Sequence, residues 1–184
     1  IASFPAPKGS AMKTEQVSTT SWTLASRSPE RKAILTEDLG IQVSICPVDI
    51  DETPILNETP QSLVERLAVG KARAFGGSGG VMAADTVVVF RDEILGKPKD
   101  QAEAKSMLSG MSGADIEVWT GTALGFPDGT LKKNVAMATL KMKVWNDFDL
   151  NEYLVSGLWE QRAGAFSVFH QPSPVKIEQG QLDV

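Results

Sequence analysis

Val81-Met82-Ala83-Ala84-Asp85-Thr86-Val87-Val88-Val89-Phe90 decides the fold. A run of this length, valine-rich and almost wholly apolar, predicts a strand buried on both faces rather than one. Asp85 stands in its middle. A carboxylate there must pair, bind a metal or shift its proton affinity, because burying it alone is expensive. Upstream, Thr59-Pro60 opens a helix with a hydroxyl cap and the residue best tolerated at the first helical position. Leu63, Leu67, Lys71 and Phe75 recur four apart along it and share one face, so a lysine interrupts an apolar stripe. The glycine-rich stretch from Gly76 to Gly80 breaks that helix before the valine strand begins. It precedes a strand and lacks the Gly-Lys-Ser/Thr ending of a phosphate loop, which marks it as a turn.

Further out, Trp22-Thr23-Leu24-Ala25 predicts a short strand, and Ser28-Pro29 starts a helix. Ile34, Leu35 and Leu39 supply its apolar side, and Gly40 stops it. Residues 41–48 alternate as a strand does, followed by the acidic cluster Asp49-Ile50-Asp51-Glu52 and a turn at Thr53-Pro54. Beyond the valine strand, Arg91-Asp92-Glu93 forms a tight turn leading to Ile94-Leu95-Gly96-Lys97-Pro98. Asp100 with Glu103 makes a capping box for a helix ending near Gly110. Strands at about 116–126 and 131–145 flank Pro127-Asp128-Gly129-Thr130, a hairpin signal. Asp149 with Glu152 caps a last helix that stops at Gly157, and residues 162–184 read as strand and loop. Strands interleaved with helices, plus a hairpin, predict a single α/β domain around a mixed β-sheet.

Composition agrees with one ordinary globular domain. The 184 residues are 42% hydrophobic and 22% charged, and a chain this long buries roughly 70% of its unfolded surface without needing a disulfide or metal. Eighteen basic against 23 acidic side chains give a net charge of −5. Nucleic acid is therefore excluded as the main partner, since a phosphate footprint needs surplus Lys and Arg. The single Cys46 excludes an internal disulfide and reads as a small buried hydrophobe. The single His170 excludes a multi-histidine metal centre. Trp119, Trp145 and Trp159 are expected in the core. No apolar run approaches the ~20 residues of a membrane span, and residues 1–21 lack the apolar core of a secretion signal. Gly9-Ser10-Ala11-Met12 has the look of a cloning remnant, so residues 1–11 are set aside and the domain is expected over 12–184. With one cysteine and no signal, the cytoplasm is the expected compartment.

Three groups of residues offer chemistry. Ser26-Arg27-Ser28-Pro29-Glu30-Arg31 sits at a strand-to-helix turn, where hydroxyls, free backbone N–H groups and Arg31 suit an anion such as phosphate. The same residues also serve as an ordinary helix cap with solvated charges, and Glu30 fits that alternative because it would repel a phosphate. Asp49, Asp51 and Glu52 form either a solvated acidic loop or carboxylate ligands for Mg²⁺, which takes one or two carboxylates plus phosphates and water. Asp85 needs a counter-charge, for which Lys71 and Lys97 are the candidates. Lys71 alternatively snorkels, and Lys97, between Gly96 and Pro98, is either an ammonium presented on a stiff loop or a surface lysine.

Taken in order, these residues resemble the Maf family of nucleoside triphosphate pyrophosphatases. The resemblance runs from Leu24 to Phe166. It is carried by Leu24-Ala25-Ser26-Arg27-Ser28-Pro29 with Arg31, Asp49-Ile50-Asp51-Glu52, Arg66-Leu67-Ala68 through Lys71-Ala72, and Ala84-Asp85-Thr86-Val87-Val88. Gly96-Lys97-Pro98, Met107-Leu108 with Ser112-Gly113, Thr120-Gly121 and Ala163-Gly164-Ala165-Phe166 complete it. The resemblance implies an elongated α/β fold of the Maf / inosine-triphosphatase-like type, a homodimer, and a site in a cleft. It also implies a divalent cation (Mg²⁺, Mn²⁺ or Co²⁺) and cleavage of a nucleoside triphosphate between its α and β phosphates. Asp85 then matches the family's proton acceptor and Glu52 its metal and water carboxylate, the two together holding the metal. Ser26, Ser28, Arg31, Lys71 and Lys97 match residues that hold the triphosphate.

Three positions bear on the base. The family branch acting on dTTP and UTP has Arg, Thr and Gln where this chain has Glu30, Thr86 and Phe169. The branch acting on 7-methyl-GTP has Trp, Gln and Glu there. Thr86 agrees with the first branch; Glu30 and Phe169 agree with neither. The chain also ends before the Asn-Val-Val-Gly-Leu-Pro strand and final helix usual in the family. The implied function is a metal-dependent pyrophosphatase acting on dTTP, UTP or a modified nucleotide. The alternative is a nucleotide-binding regulatory protein on the same scaffold with little turnover.

Overall fold

The structure, a computed structural model, describes residues 21–168 and 173–181. Residues 1–11, Phe169 and His170 lie outside them. Seven strands among the described residues make one mixed sheet: β1 (Trp22–Leu24), β2 (Val43–Ile45), β3 (Gly80–Phe90), β4 (Glu93–Leu95), β5 (Asp115–Gly125), β6 (Leu131–Met142) and β7 (Val175–Gln181). Their order is β2-β1-β3-β5-β6-β7, with β4 paired to the far end of β3. The β1 strand runs parallel to both β2 and β3, and the remaining pairs are antiparallel.

The valine run becomes β3, and helices cover both of its faces, as its apolar composition demands. Side chains alternate across a strand. Val81, Ala83, Val87 and Val89 pack with α2 (Pro60–Ala74), through Leu63, Val64, Leu67, Ala68 and Ala72. Val88 points the other way, into a core built with α3 (Gln101–Gly110) and α4 (Asp147–Val155) around Leu108, Met111, Leu150 and Leu154. Asp85 shares the parity of the first set and so faces α2. Each Leu or Val buried this way contributes about 1.5–3 kcal/mol.

Helix starts follow their caps. Thr59 Oγ1 accepts from Ser62 N at 3.2 Å and Ser28 Oγ from Arg31 N at 3.2 Å, each followed by proline at the first helical position. The helix opened by Ser28, α1 (Pro29–Ala33), widens into a π-helical turn, Ile34–Asp38. Asp100 Oδ1 accepts from Glu103 N at 2.8 Å, while the Glu103 carboxylate takes the Lys99 N–H at 2.7 Å. The hairpin between β5 and β6 closes with Phe126 N donating to Thr130 O, and Gly129 occupies the left-handed region (φ 85°) that the turn requires. 

Four expectations change. Asn146, not Asp149 with Glu152, caps α4: its side chain accepts from Asp149 N at 2.9 Å, and Asp149 pairs with Lys143 at 3.1 Å. Leu39 is exposed, because the helix runs out through the π-helical turn Ile34–Asp38 and leaves Leu39 at its end. Phe75 lies just beyond α2 in extended conformation and reaches the α2-side core from outside the helix. Cys46 is exposed rather than buried, since it follows β2, the edge strand of the sheet among the described residues. The three tryptophans are partly buried, Trp145 and Trp159 against the α3/α4 core and Trp119 on the α2 side.

Candidate active site

The stretches that follow the carboxyl ends of the parallel strands β1 and β2 carry Ser26–Arg31 and Asp49–Glu52, where open α/β sheets keep their ligand sites. Between them stands the Lys71 ammonium. Its Nζ lies 2.5 Å from Asp85 Oδ1 and 2.8 Å from Glu52 Oε1. Lys71 and Asp85 are both buried, and Glu52 is the solvent-facing member. Each charge is thereby paired, which removes the penalty that an isolated Asp85 would carry. Of the two proposed counter-charges, Lys71 makes the contact. Lys97 is exposed and acts at longer range, helping to lower the Glu52 carboxyl.

Gly121 makes this meeting possible. It is directly opposite Asp85 in the β3–β5 register, and a Cβ placed there would lie 2.3 Å from Val64 O and 2.5 Å from Val64 C. The backbone of α2 therefore rests on the bare Cα of Gly121. Two helical turns beyond Val64, on the same face, is Lys71. Chemical reasoning on the sequence passed over Gly121; its appearance within Thr120-Gly121 of the family pattern was the available signal.

The serine turn is more occupied than its sequence suggests. Arg31 Nη1 donates to Ala84 O at 2.7 Å and to Ser26 Oγ at 3.2 Å, and Nη2 donates to Thr86 Oγ1 at 3.2 Å. Arg31 thus grips β3 on either side of Asp85. Burial pushes the Arg31 guanidinium down, and the charges of Asp85, Glu30 and Glu52 oppose it; the group stays charged, as arginine does. Thr86 Oγ1 also shares a hydrogen bond with Thr120 Oγ1 at 3.1 Å. Ser26 Oγ accepts from Ser28 N at 3.2 Å. Ser28 spends its hydroxyl proton on Glu30 Oε2 at 2.9 Å.

Glu30 does not stand as a bare anion. Arg162 Nη2 reaches its Oε1 at 2.5 Å from 132 positions away. Burial raises the Glu30 carboxyl, but its backbone hydrogen bond, Arg162 and Ser28 outweigh that and hold it below the ordinary carboxylate value. The objection that Glu30 would repel a phosphate therefore loses most of its force. Arg162 was not singled out in the sequence. It lies immediately before the 3₁₀ turn Ala163–Ala165, whose Gly164 N donates to Gly96 O at 3.0 Å and so ties down the loop carrying Lys97.

Of the acidic trio, only Glu52 joins the cluster. Asp49 is exposed and pairs with Arg27 at 3.0 Å, and Asp51 closes a turn on Thr53 N at 2.9 Å. Burial raises the Glu52 carboxyl, and the Lys71 hydrogen bond with the charges of Lys71, Lys97 and Arg31 lowers it further than burial lifts it. Among the described residues no three His, Cys, Asp or Glu side chains gather as a metal cage. Asp85 and Glu52 each spend one oxygen on the Lys71 ammonium and carry a second; two such carboxylates suit Mg²⁺, which takes one or two of them and completes its shell with phosphates and water. The donor set fits a cation that arrives with a phosphate ligand. Phe169, the third base-site candidate, lies outside the described residues. No described helix is long and apolar enough to cross a membrane.

A mixed sheet with its charged cluster just past the carboxyl ends of two parallel strands makes this an α/β protein of the class that binds ligands at that edge. More narrowly, the chain belongs to the Maf-like protein family, which matches residues 21–179. The dTTP/UTP pyrophosphatase of Citrifermentans bemidjiense is 39% identical over 152 residues, covering 79% of this chain and 77% of that protein. The dTTP/UTP pyrophosphatase of Cereibacter sphaeroides is 40% identical over 148 residues, covering 79% and 76%. Among solved structures, a HAM1 protein from Coxiella burnetii aligns over 79% of this chain and 86% of its own at 18% identity and a TM-score of 0.47.

Proposed function

We propose that this protein is a nucleoside triphosphate pyrophosphatase: water attacks the α-phosphorus, the bond to the bridging oxygen breaks, and a nucleoside monophosphate and pyrophosphate leave. The Lys71 ammonium held between Asp85 and Glu52 carries this reading. It places a fixed cation and two carboxylates together, beside a serine-lined turn and within electrostatic reach of Lys97. Asp85 accepts the proton of the attacking water, and Glu52 orients that water. Lys71 and Lys97 neutralise charge on the departing pyrophosphate. Ser26 and Ser28 line the triphosphate path, and Arg31 holds β3 so that Asp85 keeps its place. Glu52 and Asp85 would hold a divalent cation, which supplies Lewis-acid charge stabilisation at the phosphates when bound.

The relatives' names make dTTP and UTP the first substrates to try, and Thr86 agrees with them. Glu30 departs from that branch, which carries an arginine there, and its two oxygens are already engaged by Ser28 and Arg162. A homodimer and a cytoplasmic location, where triphosphates are abundant, belong to the same reading. The test is pyrophosphate release from canonical and modified triphosphates with Mg²⁺, Mn²⁺ or Co²⁺, with Asp85→Asn alongside. Loss of the proton acceptor should cost about 10²–10⁴-fold while thermal unfolding stays cooperative. Silence of the folded wild-type chain across the panel would transfer the case to a nucleotide-binding regulator.

A further inference from the structure

The loop from β2 to α2 delivers Glu52 to Lys71, yet nothing apolar fixes its outer part. Residues 51–57 are all exposed, Leu56 by 89%, so burial does not hold the loop down. Ile50, just before it, is the last side chain to pack against the α2 core. Polar contacts take over from there. Ile55 N donates to Glu58 Oε2 at 3.0 Å and Glu58 N to Ile55 O at 2.9 Å, which folds the loop on itself. Arg66, on α2, then fastens it. Its Nε donates to Glu58 Oε1 at 2.6 Å and its Nη2 to Glu58 Oε2 at 2.7 Å, a two-pronged and charge-assisted pair. The same Nη2 donates to Thr53 O at 3.1 Å, one residue beyond Glu52. The Glu58 side chain is only 7% exposed despite its place in an exposed loop.

We infer that Arg66, braced by Glu58, is a positioning residue for Glu52: it fixes the backbone at Thr53 so that the Glu52 carboxylate meets Lys71 beside Asp85. The inference rests on the reading of Glu52 as a working carboxylate. Arg66 acts through geometry, because one planar guanidinium bonds both Glu58 oxygens and a carbonyl at once. A lysine in its place keeps the charge but has no planar fork to span the three acceptors.

The experiment combines Arg66→Gln, Arg66→Lys and Glu52→Gln with the double variant Arg66→Gln/Glu52→Gln in the full chain. Pyrophosphate release is measured against Mg²⁺ concentration, and amide hydrogen exchange at Thr53, Ile55 and Glu58 without nucleotide or metal. Supporting residues of this kind typically cost about 10- to 100-fold in metal affinity or activity. Arg66→Gln should lose within that range, in kcat or in the Mg²⁺ required, and should speed exchange at those three amides while the sheet stays protected. Arg66→Lys should resemble Arg66→Gln. In the Glu52→Gln background, Arg66→Gln should cost little more, because both changes disable one device. Additive losses, full rescue by lysine, or unchanged exchange in Arg66→Gln would each overturn the inference. A fully active Glu52→Gln would instead overturn the reading of Glu52, and is told apart because it appears in the single variant alone.

Discussion

Replacing Gly121 with alanine tests whether the site depends on how closely α2 lies on the sheet. The new methyl would stand 2.3 Å from Val64 O, 2.5 Å from Val64 C and 2.9 Å from Glu65 N, all backbone atoms of α2. Real Cβ atoms essentially never come within 3.0 Å of a neighbour, so the helix must withdraw by about 0.7 Å or the strand must bow by as much. Overpacking of this kind costs about 1–3 kcal/mol. In a chain of this size that lowers Tm by about 2–12 °C, at ~2–4 °C per kcal/mol. The catalytic consequence should be larger in proportion. Lys71 rides on the displaced helix and meets Asp85 directly across from Gly121, and a misplacement near 1 Å can cost about 10²-fold in rate. Gly125→Ala is the control. It lies on the same strand, and its Cβ meets only the Val81 Cγ1 at 2.7 Å, a side-chain atom away from the cluster. Urea unfolding, a thermal scan and single-turnover pyrophosphate release on both variants separate the effects. Gly125→Ala should lose stability and keep turnover; Gly121→Ala should lose both. Wild-type Tm and rate in Gly121→Ala would refute the claim that α2 rests on bare Cα at this point.

Three further outcomes are expected. Glu58 is held at about 2 by its hydrogen bonds to Arg66, against an ordinary value of 4.5. A carboxyl whose folded value is depressed stabilises above the unfolded value and loses that contribution as pH falls through the folded one. Urea midpoints of the wild type should therefore exceed those of Glu58→Gln above pH 4.5 and converge on them as pH falls toward about 2; a constant gap would mean the pair does not titrate with folding. Phe169→Gln should raise turnover of dTTP or UTP, because an amide can read a base edge that a phenyl ring cannot; unchanged rates would place Phe169 away from the base. Cys46 should react with a thiol reagent in the folded protein nearly as fast as in denaturant, and strong protection would contradict its exposure.

Much of the fold was legible because its signals are local. A valine run long enough for a doubly covered strand, caps at Ser28, Thr59 and Asp100, and a Pro-Asp-Gly-Thr hairpin each act over a few residues, and each formed as read. Local signals failed where a neighbour only a few residues away competed. Asn146 out-positioned Asp149 as a cap, and the helix opened by Ser28 ended before Leu39 could join its apolar side. The sequence also raised the right question at the site: Asp85 inside an apolar strand and Lys71 inside an apolar stripe are each anomalous alone.

The sequence by itself determined the α/β alternation, the strand that carries Asp85 and the helix face that carries Lys71, because periodicity and capping depend on near neighbours along the chain. Only the tertiary structure decided that the two anomalies resolve each other, that Glu52 rather than Asp49 or Asp51 joins them, and that Glu30 is neutralised by a distant arginine. It also turned Arg31 toward β3 and gave Gly121 and Arg66 their places. Those outcomes depend on the distance at which a helix settles on a sheet and on which long side chains then fall within hydrogen-bond reach, and no periodicity along the chain encodes either.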